Sequence, residues 1–195
     1  MHDPLELHIA PDTVVIGLIA RFDAQKDHAN FLKAVKLFVD VYQNVAFIMC
    51  GDKINEANAF LTQMLYEFGI AKYCILLDRR DDVPQLMNAC DIITSSSYSE
   101  AFPLVIGEAM SCAVPCVVTD VGDSSWIVGS TGLVVPPRDP KALANAWIEL
   151  INIGKKRRSA LGTEARKRIC HHFSLAAIVQ RYQNLYEELI VRSTH

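Results

Sequence analysis

The sequence predicts an α/β fold, a parallel sheet with helices on both faces. Three observations predict it. Short runs such as VVIGLIA at 14–20 and VAFIMC at 45–50 are apolar throughout, as strands covered on both sides are. Segments with apolar residues at helical spacing separate these runs. Turn and cap residues (Asp27, Gly69, Asp139–Pro140) fall at the junctions.

Taken in order, residues 1–12 are polar and punctuated by Pro4 and Pro11, the composition of a linker. A strand at 14–20 is followed by a loop at 21–25. Asp27 is placed to cap a helix whose apolar residues are Phe31, Leu32, Val35, Phe38 and Val39. A second strand at 45–50 ends at Gly51-Asp52. An amphipathic helix is expected at 57–68 with Gly69 as its C-terminal cap, then a strand at 74–77, a short helix at 82–89 and a strand at 91–94. A helix opens at Pro103, a residue suited to a first helical position. A strand at 116–119 leads into a Gly/Ser loop and a short strand at 133–135. Asp139 and Pro140 start a helix over 141–152, and two extra C-terminal helices follow at 155–171 and 175–191. No internal repeat or low-complexity tract is present, and residues 13–195 fit one domain.

Composition bounds the function. Hydrophobic residues make up 51% and charged residues 21%, a globular balance, and the net charge of −3 argues against a nucleic-acid binder. The cysteines (Cys50, Cys74, Cys90, Cys112, Cys116, Cys170) form no C-x-x-C pair and mostly border apolar runs, so they read as buried free thiols of a reducing cytoplasm. Neither a membrane-spanning run nor a signal-peptide pattern is visible.

The chemistry concentrates in DIITSSSYSEAFPLVIGEAMSCAVPCVVTD, residues 91–120. A strand ends, a Ser-rich loop follows, and a helix begins. The free N–H groups and the dipole of that first turn favour an anion. Two carboxylates flank it, Glu100 in the loop and Glu108 in the helix, with seven residues between them. Glu108 has apolar or small neighbours, so it is expected to be a buried carboxylate that needs a partner. Donors for a diphosphate beside carboxylates for hydroxyls suit a nucleotide sugar. A glycosidase pair fits less well, since one carboxylate lies inside an apolar helix. Ligands in parallel sheets bind beyond the carboxyl ends of the strands. That places Arg21 and Lys26, which follow the first strand, on the same rim as Glu100.

Residues 99–104 (SEAFPL) through Glu108-Ala109-Met110 resemble the Glu-x7-Glu signature of glycosyltransferase family 4, retaining enzymes of the GT-B fold. The likeness continues through VPCVVTD at 114–120, GLVVPP at 132–137, and GLIARFD at 17–23 with Lys26-Asp27. It covers nearly the whole chain but only one half of such an enzyme, the Rossmann-like, donor-binding C-terminal domain. The resemblance implies that Glu100 is the catalytic carboxylate facing the donor sugar. It implies that Glu108 holds the ribose hydroxyls, that Arg21 and Lys26 contact the diphosphate, and that Phe102, Leu104 and Val105 offer backbone N–H groups to phosphate. It further implies that no metal or other cofactor is used, that the N-terminal acceptor domain is a missing partner, and that the acceptor is a glycan or a lipid-linked sugar, as in surface polysaccharide biosynthesis. A nucleotide-sugar 2-epimerase of the same fold and a non-catalytic nucleotide-binding or interaction module are the alternatives.

The sequence departs from the family pattern at three places. Ala101, Ala113 and Asp78 stand where Gly is usual, which strains the backbone wherever φ is positive. Arg79 and Arg80 are expected to pair with Asp81 and Asp82. The basic stretches 155–158 and 166–168 read first as a solvated helix face, and second as peripheral contact with anionic lipid at the inner membrane face. Trp126 and Trp147 are expected to be packing residues. Ile178, Tyr182, Leu185, Tyr186 and Leu189 form the apolar face of the last helix, expected to be partly bare.

Overall fold

The computed structural model describes residues 7–193, with the side chains of 191–193 outside that description. Six strands form one sheet: β1 (Val14–Ile19), β2 (Val45–Cys50), β3 (Cys74–Leu76), β4 (Ile92–Ser95), β5 (Cys116–Thr119) and β6 (Leu133–Val135). All neighbours are parallel, in the order β3-β2-β1-β4-β5-β6. The chain winds outward from β1 to β3, returns, and winds outward the other way from β4. The reversal leaves a crevice at the carboxyl ends of β1 and β4, the switch point where doubly wound sheets bind ligands.

The helices are α1 (His28–Val39), α2 (Ala59–Glu67), α3 (Val83–Asn88), α4 (Leu104–Ser111), α5 (Ser124–Val128), α6 (Pro140–Asn152), α7 (Lys155–Phe173) and α8 (Leu175–Ser193). Alternation along the strands sends successive side chains to opposite layers. Val14, Ile16 and Leu18 of β1 join α1, α2 and α6 in one core, and Val15 joins α3, α4, α5 and α7 in the other. The first core centres on Trp147, wholly buried against Phe31, Phe38 and Phe47 with ring centroids 5.4–5.8 Å away. Its indole N–H donates to Thr94 Oγ1 at 2.9 Å, which satisfies a polar group at the centre of the sheet.

Capping follows the sequence at α1 and α6, where Asp27 and Asp139 accept from the N–H groups of Asn30 and Ala142. At α4 the chain differs. Pro103 is the N-cap itself, at φ −74° and ψ 98°, and the first helical residue is Leu104. Within the expected Gly/Ser loop, Ser124–Val128 forms the short helix α5. Of the linker expected at 1–12, residues 1–6 lie outside the description. Residues 7–12 form neither helix nor strand, and Leu7 and Ile9 pack against the second core.

Three of the seven basic residues expected to form a face on α7 are structural. Arg158 is buried and pairs with Asp91 at 2.7 Å, and the other oxygen of Asp91 accepts from the Val15 N–H at 3.0 Å. Arg168 donates to the Trp126 and Ile127 carbonyls of α5, and Arg166 to the Ser111 carbonyl that closes α4. These arginines satisfy helix carbonyls that would otherwise lack partners. The expected surface patch for lipid is thereby reduced to Lys155, Lys156, Arg157 and Lys167.

Among the described residues no helix is long and apolar enough to cross a membrane. All six thiols are free. Cys50, Cys90 and Cys116 are buried, Cys74 and Cys112 half-buried, and Cys170 exposed, the last against expectation.

Candidate functional site

The loop after β1 carries Arg21 and Lys26, and the loop after β4 carries Glu100. The switch point brings the last two together. Lys26 Nζ lies 2.5 Å from Glu100 Oε1, and the two side chains are 18% and 9% exposed. Ser97 donates to the same oxygen at 2.7 Å. The surrounding loop is held from below by buried hydroxyls. Ser96 Oγ donates to the Lys26 carbonyl at 2.8 Å, and Thr119 Oγ1 to the Ser97 carbonyl at 2.6 Å. Sequence reasoning passed over Ser96, Ser97 and Thr119. The visible signal was the Ser-x-x-Glu spacing of Ser97 and Glu100, which brings a hydroxyl and a carboxylate within reach across a tight loop.

Gly122 was also missed. At φ 52° it sits so close to the Glu100–Ala101 backbone that a Cβ would lie 2.3 Å from the Glu100 carbonyl oxygen. The glycine lets the 120–123 turn press onto the loop, where the Asp123 N–H donates to the Ala101 carbonyl at 2.9 Å. The loop that presents Glu100 is thus clamped from two sides.

Arg21 lies apart from the Lys26–Glu100 pair and bonds Asp23 at 3.2 Å, with 63% of its side chain exposed. The Asp23 carboxyl is held below its ordinary pKa by the Gln25 N–H first, with Arg21 assisting. An exposed pair of this kind is worth ~0–1 kcal/mol, so Arg21 is available to an incoming phosphate. It lines a cleft of about 250 Å³ with Gly51, Arg79, Arg80, Val105 and Glu108. Arg80 is committed to Asp82 through two hydrogen bonds, as expected. Arg79 makes no ion pair among the described residues and is exposed at the cleft wall.

Glu108 differs from expectation. It is exposed, not buried. Helix α4 buries only Ile106, Ala109 and Met110, and its other side, with Leu104 and Glu108, stands open. Of the apolar neighbours that suggested burial, Ile106, Ala109 and Met110 face inward while Leu104 shares the open side, and Glu108 lines the same cleft as Arg21. Pro103 provides no side-chain cap, so the N–H groups of Leu104 and Val105 have no side-chain acceptor. Phe102, 43% exposed, packs against Trp126 and Phe173 beside them. Trp126 is itself 52% exposed but packs edge-on against Phe173 with ring centroids 4.8 Å apart, the packing role expected of it.

The three departures from the family pattern resolve separately. Ala101 does not adopt a positive φ, whereas Ala113 does, at 58°. Asp78 has φ 22°, and its carboxylate is turned onto the Asn55 amide and the Lys53 N–H, which pull its pKa below the usual range, Asn55 most. Its charge is engaged on the loop side. Among the described residues no group of three or more His, Cys, Asp or Glu is placed to hold a metal ion. The loops beyond β1 and β4 and the helix that follows thus carry two cations, an uncapped helix start and two carboxylates, groups of the kinds that hold a diphosphate and hydroxyl-rich moieties.

Residues 13–152 match the family model described as glycosyl transferases group 1. A D-inositol 3-phosphate glycosyltransferase of Corynebacterium jeikeium is 32% identical over 193 residues, which cover 94% of this chain and 46% of that protein. The Escherichia coli UDP-Gal:alpha-D-GlcNAc-diphosphoundecaprenol alpha-1,3-galactosyltransferase is 23% identical over 95% of this chain and 48% of its own length. Among solved structures, Anabaena Alr3699/HepE in complex with UDP superposes with a TM-score of 0.79 at 25% identity, covering 90% of this chain and 49% of that one. The same protein has been solved with UDP-glucose. The chain spans about half the length of the relatives it matches. By fold, by motif and by the match over most of its length, this chain belongs to the group 1 glycosyltransferases and corresponds to the C-terminal half of their GT-B architecture.

Proposed function

We propose that this chain is the donor-binding half of a retaining, metal-independent glycosyltransferase that moves a sugar from a nucleotide-diphosphate sugar to a lipid-linked or glycan acceptor in surface polysaccharide assembly. The observation that carries this reading is the cleft that Arg21 shares with Val105 and Glu108, with the Lys26–Glu100 pair on the loops that follow β1 and β4. When the glycosidic bond breaks, negative charge grows on the departing diphosphate. Arg21, Lys26 and the N–H groups at Leu104 and Val105 are the positive groups that stabilise it. Glu108 accepts hydrogen bonds from the ribose hydroxyls, and Glu100 addresses the donor sugar. The names of the relatives support the substrate class, since one uses UDP-Gal with a diphosphoundecaprenol acceptor and another has been solved with UDP-glucose.

The test is calorimetric titration of the chain with uridine and guanosine nucleotides, with and without EDTA. Nucleoside diphosphates bind more tightly than nucleosides, EDTA changes nothing, and Arg21→Ala weakens the diphosphate while sparing the nucleoside. Failure to bind any nucleoside diphosphate would sink the reading.

A further inference from the structure

Glu100 is bonded in an unusual way for a residue meant to touch a sugar. Both of its donors, Lys26 Nζ at 2.5 Å and Ser97 Oγ at 2.7 Å, converge on Oε1. Oε2 takes no hydrogen bond among the described residues. The two donors are redundant in this arrangement, since the lysine alone neutralises the carboxylate.

We propose that Ser97 is the positioning residue that keeps Glu100 aimed at the donor sugar once Lys26 has been drawn away to the diphosphate. The inference rests on the donor-site reading given above. A diphosphate carries more negative charge than one carboxylate, so it competes successfully for the lysine. Glu100, only 9% exposed, would then be a carboxylate with no partner and no fixed rotamer. The serine does not leave. It is 1% exposed, it lies just past the end of β4, and its own carbonyl is tied to Thr119 Oγ1 at 2.6 Å. A hydroxyl has one proton to give, and here it goes to Oε1. That fixes the carboxylate plane and leaves Oε2 to accept from a sugar hydroxyl. Lys26 is in this view a lock that the phosphates release, and Ser97 a holder that works in both states.

The experiment compares affinities of the chain for UDP and GDP with those for UDP-glucose, UDP-galactose, UDP-N-acetylglucosamine and GDP-mannose. The tightest sugar nucleotide and its matching diphosphate are then titrated into Ser97→Ala, Glu100→Ala and the double variant. Ser97→Ala is expected to bind the diphosphate within about twofold of the unmodified chain while losing about three- to tenfold of the extra affinity for the sugar nucleotide, the scale of one ordinary net hydrogen bond. In the Glu100→Ala background, Ser97→Ala should change nothing further, because a residue acting only through another has no effect once that one is removed. Equal losses for both ligands would make Ser97 a purely structural residue and overturn the proposal. A full Ser97→Ala effect in the double variant would do the same, as would a sugar nucleotide that binds no better than its diphosphate. If no diphosphate binds the unmodified chain, the donor-site reading fails first and takes this inference with it.

Discussion

At the level of single residues, exposure decides what Glu108 can do. An open carboxylate on the outer side of α4 contributes little to stability, so Glu108→Gln should leave the melting temperature within a degree or two. It should weaken nucleotide binding by ~1.5–3 kcal/mol, a charged hydrogen bond's worth, read by titration against the diphosphate. Lys26 and Glu100 should behave in the opposite way. Removing one partner leaves the other charge poorly solvated, so Lys26→Ala should lower stability by ~1–3 kcal/mol in urea unfolding. Lys26→Ala combined with Glu100→Gln should recover most of that loss. His28, packed on Phe22 at the start of α1, gives a pH signature. Burial pushes its pKa down to about 4 from an ordinary 6.5. The folded state thus resists protonation while the unfolded chain accepts it, and stability falls as the pH drops from about 6.5 toward 4. Between pH 7.5 and 5 the loss should be ~2 kcal/mol. A His28→Leu variant that keeps the same pH dependence would show that another group is responsible.

At the level of elements, the strands and long helices were legible because their signals are local. β2, β5 and β6 follow their apolar runs, and Asp27 and Asp139 cap as their side chains dictate. What was illegible depends on partners far along the chain. The short α5 carries no periodic signal of its own, and Arg168 reaches from α7 to its last carbonyls. Arg158 looked like surface charge until Asp91, 67 residues away, supplied its partner. The site divides along the same line. The motif exposed Lys26, Glu100 and Glu108, but the outward turn of Glu108 and the hydroxyl supports beneath Glu100 follow from packing that no single stretch encodes. The turn after α4 offers a direct test. Ala113 holds a left-handed conformation, φ 58°, that costs an alanine more than a glycine. Ala113→Gly should therefore raise stability by ~0.5–1 kcal/mol, visible as a small upward shift of the thermal midpoint without change in nucleotide affinity.

At the level of the whole molecule, the last helix stands out. In α8 the side chains of Leu175, Val179, Tyr182, Leu185, Tyr186, Leu189 and Ile190 are between 46% and 81% exposed. Only Ile178 of the face expected from the sequence is half-covered. An apolar surface of this extent invites association. Sedimentation of residues 1–195 should show concentration-dependent self-association that ends when the chain is cut at Ser174. The relatives are about twice the length of this chain, and positioning of donor against acceptor supplies much of a transferase's rate. Purified chain should accordingly bind nucleotide yet give no sugar transfer with any acceptor, and sustained turnover would contradict the half-enzyme reading.

The distribution of thiols bears on how such motions could be watched. Burial raises the pKa of Cys74, Cys90 and Cys116 to about 12, and Cys50 and Cys112 are shifted the same way. Thiolate is the form that attacks maleimides, so these five are slow targets at neutral pH. Cys170 is exposed one turn before α7 gives way to α8. A fluorophore added under mild conditions would therefore settle at that junction without any cysteine having to be engineered in or out, and would report by its colour and anisotropy on whatever comes to cover the last helix.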